Sequence, residues 1–246
     1  MAYIIVGDSI KTQVDQIVIS YDVVGDGYPI ILLHGWGANR LTFKRLSLNL
    51  SDRFKVYSID LPGFGDTQIG LPYNVYEVAD IIFKFCQNLN IEKPIILGHS
   101  YGGRIAMIYA SKYECLKLVL VSGAGIRQRI NWKKRFSIRV YKILKKCKIN
   151  VKMGSRDYID ADNVKRRMLI DAIHTDLKPE MKRINVETLL IYGQNDKVTP
   201  LDLAKDIKAN IKNSSLITIE ECGHFPYLER PSVFQLILDS FLVVDL

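Results

Sequence analysis

A serine that could act as a nucleophile lies in the motif Gly98-His99-Ser100-Tyr101-Gly102. It follows the apolar run Pro94–Leu97 and precedes a helical pattern, the context in which Gly-x-Ser-x-Gly is typical of a nucleophile elbow. A sharp strand-to-helix turn of this kind presents the serine hydroxyl above a sheet. Its flanking glycines leave space where a Cβ would collide with a neighbouring strand or helix. We therefore predict that Ser100 is a nucleophile.

A serine hydroxyl becomes a good nucleophile only when a base takes its proton, and that base needs an orienting acid. His224 lies in Glu221-Cys222-Gly223-His224-Phe225-Pro226, directly after the last predicted strand. Asp196 also follows a predicted strand directly, whereas the other position for an acid holds only Ser122-Gly123-Ala124-Gly125. The sequence thus predicts a triad of Ser100, Asp196 and His224.

The tetrahedral intermediate of an acyl transfer also needs N–H donors directed at its oxyanion. His34-Gly35-Trp36-Gly37 follows an apolar strand, so the backbone N–H of Trp36 is one candidate donor. The backbone N–H of Tyr101, directly after the nucleophile, is the other. We expect His34 to stabilise its own loop by hydrogen bonding, and His174 to be a surface or packed residue. Asp60 and Asp66 flank a glycine-rich loop and are expected to stabilise that turn.

Short apolar runs alternate with helical patterns along the chain, which predicts a mostly parallel sheet flanked by helices. The glycine-rich Gly25-Asp26-Gly27 indicates a tight turn after the first strand. The predicted strands are Gln16–Val23, Pro29–Leu33, Lys55–Asp60, Pro94–Leu97, Leu116–Val121, Thr188–Tyr192 and Ser215–Ile219. The predicted helices are Asn74–Leu89, Arg104–Ser111, Leu201–Ala209 and Pro231–Leu242, the last with a proline at its first position.

A basic segment interrupts this alternation. From Arg127 to Arg183 the chain has 18 Lys and Arg against 6 Asp and Glu, although its overall net charge is only +8. Helical patterns over Trp132–Ile149 and Ala161–Leu177 predict a helical cap at residues 127–186, inserted into a core of residues 1–126 and 187–246. The simpler interpretation of the first helix is an apolar face on the core and lysines in water. The alternative is weak contact with an anionic membrane surface or acidic substrates.

Composition excludes several classes of protein. With 48% hydrophobic and 24% charged residues, the chain of 246 residues is typical of a globular protein and long enough for a sizeable core. No apolar run has the length of a membrane-spanning helix, and the start does not resemble a signal peptide. Four widely spaced cysteines favour reduced thiols in a cytoplasmic protein over zinc or disulfides. No dinucleotide, phosphate-loop, metal-site or nucleic-acid-binding motif is present, so we expect no cofactor, metal or nucleic acid.

The chain resembles the α/β-hydrolase fold family, in particular its capped microbial serine esterases and C–C hydrolases. The resemblance rests on five motifs that occur in the family's order and span most of the chain: His34–Gly37, Asp60–Gly65, Gly98–Gly103, Gly193–Pro200 and Gly223–Pro231. It implies Ser100 as nucleophile, His224 as base, Asp196 as acid, and no cofactor. Relatives of this fold that attack with aspartate, the epoxide hydrolases and haloalkane dehalogenases, are disfavoured by Ser100.

Together, these observations predict a hydrolase that cleaves a carboxylic ester of small to medium size through an acyl-serine intermediate. Lactonase, thioesterase, amidase and C–C bond hydrolase activities remain open because the same triad can perform them. A receptor-like member of the fold, which binds a ligand and has negligible turnover, is a further alternative. Oligomeric state and physiological substrate are not determined by these patterns.

Overall fold

The fold is built around one eight-stranded sheet. The computed structural model describes residues 9–127 and 162–243. The strand order is β1-β2-β4-β3-β5-β6-β7-β8; β1 and β2 pair antiparallel, as do β2 and β4, and every other pair is parallel. The strands are β1 (Ile10–Val14), β2 (Ile17–Val24), β3 (Tyr28–Leu33), β4 (Phe54–Ile59), β5 (Ile95–His99), β6 (Lys117–Val121), β7 (Glu187–Gly193) and β8 (Ser214–Ile219).

Helices connect these strands and cover the sheet. They are α1 (Lys44–Leu50), α2 (Val75–Asn88), α3 (Tyr101–Lys112), α4 (Asn163–His174), α5 (Lys178–Met181), α6 (Leu201–Asn210), α7 (Pro226–Glu229) and α8 (Pro231–Phe241), with a short 3₁₀ helix at Arg40–Phe43. The start of α2 shows why helices begin where they do: Asn74 accepts hydrogen bonds from the first turn while Glu77 accepts one from the Asn74 N–H. In the described ranges, no helix is long and apolar enough to cross a membrane.

Two apolar cores lie on the two faces of the sheet. Strand β3 contributes to both, because alternate side chains of a strand point to opposite faces. Its Ile31 and Leu33 pack in the core beneath α2 and α3, whereas Ile30 and Leu32 pack in the core beneath α1 and α8. All four side chains are fully buried, so β3 occupies the centre of a sheet covered on both sides.

The predicted alternation of strands and helices is confirmed, with boundaries that shift by one to three residues. All seven predicted strands are present, and Pro231 does begin α8. Strand β1 and helix α1 were not predicted. The turn at Gly25–Gly27 is present, but it joins strands that are not neighbours, because β4 lies between β2 and β3. The free cysteines among the described residues, Cys86, Cys115 and Cys222, are buried.

The predicted cap lies only partly within the described residues. The helix predicted over Trp132–Ile149 falls outside them, as does the fourth cysteine. The second predicted helix is present as α4, which ends at His174 rather than at Leu177. Met168 and Ala172 of α4 are buried in the core that contains α2 and α3. The division into core and cap at residues 127–186 stays a prediction.

Candidate active site

The turn between β5 and α3 holds Ser100 in a strained conformation. Its φ of 51° and ψ of −109° are unusual for a residue with a side chain. Close backbone approaches on either side explain the glycines: a Cβ on Gly98 would lie 2.4 Å from the carbonyl oxygen of Gly102, and one on Gly102 would lie 2.1 Å from that of Leu33. The Ser100 N–H donates to Val121 of β6 at 3.0 Å, which fixes the turn against the sheet. This geometry is that of a nucleophile elbow.

Asp196 and His224 come together at the end of the sheet where β7 and β8 finish. His224 Nδ1 lies 2.8 Å from Asp196 Oδ2. The carboxylate also accepts hydrogen bonds from the N–H groups of Val198 and Thr199, and the Thr199 hydroxyl lies 2.7 Å from Oδ2. Burial acts to raise the pKa of Asp196, but the hydrogen bonds from His224 and Thr199 outweigh it and hold the pKa well below its usual range. Asp196 therefore stays ionised and can orient an imidazole whose Nδ1 carries the proton.

Ser100 lies at the same edge of the sheet, because β5, β7 and β8 run parallel and their carboxyl ends lie together. Its side chain is partly exposed, as a nucleophile must be. Among the described residues, its hydroxyl makes no hydrogen bond, so the structure pairs Asp196 with His224 but does not join Ser100 to His224. In enzyme structures without substrate, catalytic hydrogen bonds are often long or poorly aligned.

The loop after β3, which holds the predicted oxyanion donor Trp36, lies next to the elbow. A Cβ on Gly35 would lie 3.3 Å from Cβ of Ser100, so the two loops are in van der Waals contact. Tyr101 is the first residue of α3, and the N–H groups of a first helical turn have no partner within the helix. The rings of Trp36, Phe64 and Tyr101 pack edge to face or tilted, with the Trp36 centroid 5.3 Å from that of Tyr101. This aromatic cluster packs the loop after β3 against the loop after β4 and the start of α3.

His34 is buried and supports this loop by hydrogen bonding, as expected. The Leu61 N–H donates to His34 Nε2 at 3.0 Å, which requires the proton to be on Nδ1, 2.8 Å from the carbonyl oxygen of Gly35. Burial lowers the pKa of His34 to about 4, although its bond to Gly35 acts in the opposite direction. The neutral ring thus links the loop after β3 to the loop after β4.

A buried ion network also stabilises these two loops. Arg40 is 6% exposed, and its guanidinium contacts the carboxylates of Asp22, Asp60 and Asp66. Asp60 additionally accepts hydrogen bonds from the backbone N–H groups of Arg40, at 2.7 Å, and of Asp66, at 2.8 Å. Asp60 and Asp66 therefore do stabilise their turn, both directly, through the Asp66 N–H, and through an arginine from another loop.

Sequence analysis missed three residues that organise this site: Arg40, His99 and Thr199. Thr199 stands three residues after Asp196, a spacing from which an aspartate can accept a hydrogen bond from its own turn, and this signal could have been used. Nothing local distinguishes Arg40, since its partners lie in two other segments, β2 and the loop after β4. Among the described residues, no group of three or more His, Cys, Asp or Glu side chains is arranged to hold a metal ion.

The sequence matches two family models. One, described as "alpha/beta hydrolase fold", matches residues 28–152, and another, described as "TAP-like protein", matches residues 168–244. Since the first covers half of the chain, this protein belongs to the α/β-hydrolase fold family. The predicted fold class, a mostly parallel sheet flanked by helices in the α/β-hydrolase arrangement, is confirmed.

Individual relatives are distant but similar over most of their length. AB hydrolase superfamily protein YisY from Bacillus subtilis (strain 168) is 28% identical, with 96% of this chain and 98% of that protein covered. A pimeloyl-[acyl-carrier protein] methyl ester esterase from Wigglesworthia glossinidia brevipalpis is 26% identical, with 89% and 96% covered. The solved structure of an esterase from Exiguobacterium antarcticum shares the fold, with a TM-score of 0.77, 24% identity, and 93% and 96% of the two chains covered.

Proposed function

We propose that this protein is a serine hydrolase that cleaves a carboxylic ester of small to medium size. The observation that carries the proposal is the Asp196–His224 pair, 2.8 Å apart, at the same sheet edge as the strained Ser100. An ionised carboxylate on Nδ1 leaves Nε2 of His224 as the free basic nitrogen. A serine on an elbow beside such a base is suited to acyl transfer.

The reaction proceeds in two halves. In the first, His224 Nε2 takes the hydroxyl proton as Ser100 Oγ attacks the ester carbonyl carbon, and Asp196 stabilises the imidazolium that forms. The backbone N–H groups of Trp36 and Tyr101 bind the oxyanion. Collapse of this intermediate breaks the bond to the alcohol, which leaves with the proton from His224, and Ser100 retains the acyl group.

The second half releases the acid. Water attacks the acyl-serine carbonyl while His224 takes one of its protons, and a second tetrahedral intermediate forms in the same oxyanion site. When it collapses, Ser100 Oγ recovers its proton from His224 and the carboxylic acid departs. No group outside the five predicted residues is needed to balance either half.

Two observations bear on the substrate class. Several relatives bear the name pimeloyl-[acyl-carrier protein] methyl ester esterase, which makes a methyl ester on a protein-bound acyl chain one substrate to test. The excess of 12 positive charges between Arg127 and Arg183 favours an acidic substrate or carrier. Simple carboxylic esters remain the first class to test, because the triad needs only an acyl carbonyl and a leaving alcohol or phenol.

The testing experiment compares the wild-type chain with Ser100→Ala on p-nitrophenyl esters of two to twelve acyl carbons. We expect turnover in the wild type and its loss in Ser100→Ala, whose circular dichroism and melting temperature should match the wild type, because the change removes one partly exposed hydroxyl. A fluorophosphonate probe should label the wild type alone. Equal turnover in both proteins would contradict the assignment of Ser100.

The same proteins can separate the alternatives. The value of kcat/KM on a panel of lactones, thioesters, amides and C–C cleavage substrates ranks these classes against esters. A higher kcat/KM for a class other than esters would replace the ester assignment. A receptor-like protein would bind the probe ester without releasing p-nitrophenol beyond one equivalent. Sustained turnover over many equivalents would exclude a receptor-like protein with negligible turnover.

A further inference from the structure

His99 is a buried residue at the centre of the candidate site. It is the last residue of β5, directly precedes Ser100, and is 1% exposed. Its Nε2 lies 2.9 Å from the backbone carbonyl oxygen of His224, and the two imidazole centroids are 4.9 Å apart. A Cβ on Gly35 would lie 2.8 Å from its Nδ1. One imidazole thus contacts the loops of the oxyanion donor and of the base, while its own backbone leads into the nucleophile.

The hydrogen-bond partners define the protonation of this ring. A backbone carbonyl can only accept, so Nε2 of His99 must carry the proton that is donated to His224. Nδ1 is then an acceptor, and the hydroxyl of Tyr227 lies 3.4 Å from it, a long contact. Burial, with a smaller contribution from the adjacent His224, lowers the pKa of His99 to about 3. The ring is therefore neutral over the whole range in which an esterase is assayed.

We propose that His99 is a positioning residue that holds the loop of the catalytic base against the nucleophile elbow through its Nε2–H···O=C bond to His224. The inference rests on the proposed triad and adds to it a residue that does not touch substrate. The bond is made to the main chain of the base itself, so it sets how the imidazole of His224 is placed relative to Ser100. Asp196 binds the other end of the same residue, at Nδ1 of its side chain.

Loss of this bond should affect the chemical step more than substrate binding. Displacement of a catalytic group by about 1 Å can cost about 100-fold in rate. The lost bond joins His99 to the loop of the base, so contacts between substrate and other parts of the site should change less than the placement of His224. A histidine with only a packing role would instead affect stability and leave kcat of the folded protein close to wild type.

The experiment replaces His99 in the full chain by leucine and by glutamine. Leucine fills similar space without a donor, whereas the glutamine side-chain amide can place an N–H near the position of Nε2. With the ester that the wild type cleaves fastest, we expect kcat to fall about 100-fold in His99→Leu with KM changed less than about threefold. His99→Gln should recover most of that loss. Tyr227→Phe, which removes only the long contact to Nδ1, should stay within a few-fold of wild type.

A second measurement uses the resting wild-type protein and needs no activity. Nitrogen-15 NMR of the imidazole rings should show His99 as the neutral Nε2–H tautomer between pH 5 and pH 8. The Nδ1–H tautomer, or a ring that takes a proton in that range, would overturn the proposal even if every ester is cleaved. So would wild-type kcat in folded His99→Leu, or a folded His99→Gln as inactive as His99→Leu. If instead Ser100→Ala equals the wild type, the proposed function fails, while the NMR result still decides whether His99 holds the His224 loop.

Discussion

Acidification should destabilise this protein through two buried histidines, and the size of the effect follows from their pKa values. Burial is the main cause that lowers the pKa of His34 to about 4 and of His99 to about 3, against about 6.5 for an exposed imidazole. Below pH 6.5 the unfolded chain therefore binds protons that the folded chain does not. The free energy of unfolding is therefore unaffected by these rings above the unfolded pKa, and it falls as the pH drops from about 6.5 towards about 4 for His34 and about 3 for His99.

The magnitude can be worked out for each ring. At pH 5.5 an imidazole with a pKa of about 6.5 carries about 0.9 proton, whereas His34 and His99 in the folded protein carry almost none. Unfolding at pH 5.5 should thus take up about 1.8 protons on account of these two residues. Between pH 7 and pH 5, each ring should lower the free energy of unfolding by about 2 kcal/mol.

Proton uptake is measured directly with an indicator dye when the protein is unfolded by guanidinium chloride in weak buffer at pH 5.5. The perturbation is His99→Gln, which should take up about 0.9 proton fewer than wild type. Tyr227→Phe is the matched control, because it alters the same packing next to His99 without removing an imidazole, and its uptake should equal that of wild type. Equal uptake by His99→Gln and wild type would refute the neutral, buried state of His99.

Two further substitutions test the geometry of the elbow and of the acid. Asp196→Asn should lower kcat with p-nitrophenyl acetate by about 10⁴-fold, because the amide favours the wrong tautomer of His224. A loss of that size is seen when the triad aspartate of a serine protease is replaced. A loss below tenfold would contradict the role of Asp196. Gly102→Ala should lower stability by about 1–3 kcal/mol in a denaturant titration, because its Cβ would lie 2.1 Å from the Leu33 carbonyl oxygen; an unchanged midpoint would contradict the close approach.

The parts of the fold that could be predicted are those with a local signal. The buried strands are short, β-branched runs between turn residues, and the elbow has glycines at Gly98 and Gly102, where close backbone approaches exclude a Cβ. Asp196 and His224 could be proposed as partners because each directly follows a strand, and parallel strands end at one edge. Asp196 and His224 can lie 2.8 Å apart when the strands that precede them are neighbours in the sheet. An alternation of strands and helices already favours that order.

Other features had no local signal. Strand β1 was missed because Lys11, Thr12 and Gln13 give it little apolar character, as befits an edge strand that pairs only with β2. The position of β4 between β2 and β3 depends on contacts between segments some 30 residues apart, which no short window records. The turn at Gly25–Gly27 was predicted, but the sheet neighbours of the two strands that it joins were not, since a tight turn by itself does not show which strands are adjacent.

The residues of the candidate site can likewise be divided into those with a local sequence signal and those without one. Ser100, Asp196 and His224 carry reactive groups whose identity can be read in a motif, but the residues that hold their loops together act across the chain. Arg40 contacts carboxylates of β2 and of the loop after β4, and His99 donates to a carbonyl 125 residues away. The side chains of Arg40 and His99 are themselves buried, and a buried polar group left without its partner is costly, so such links tolerate few substitutions. Their disruption should therefore reduce turnover through misplaced loops even when every residue of the predicted triad is intact.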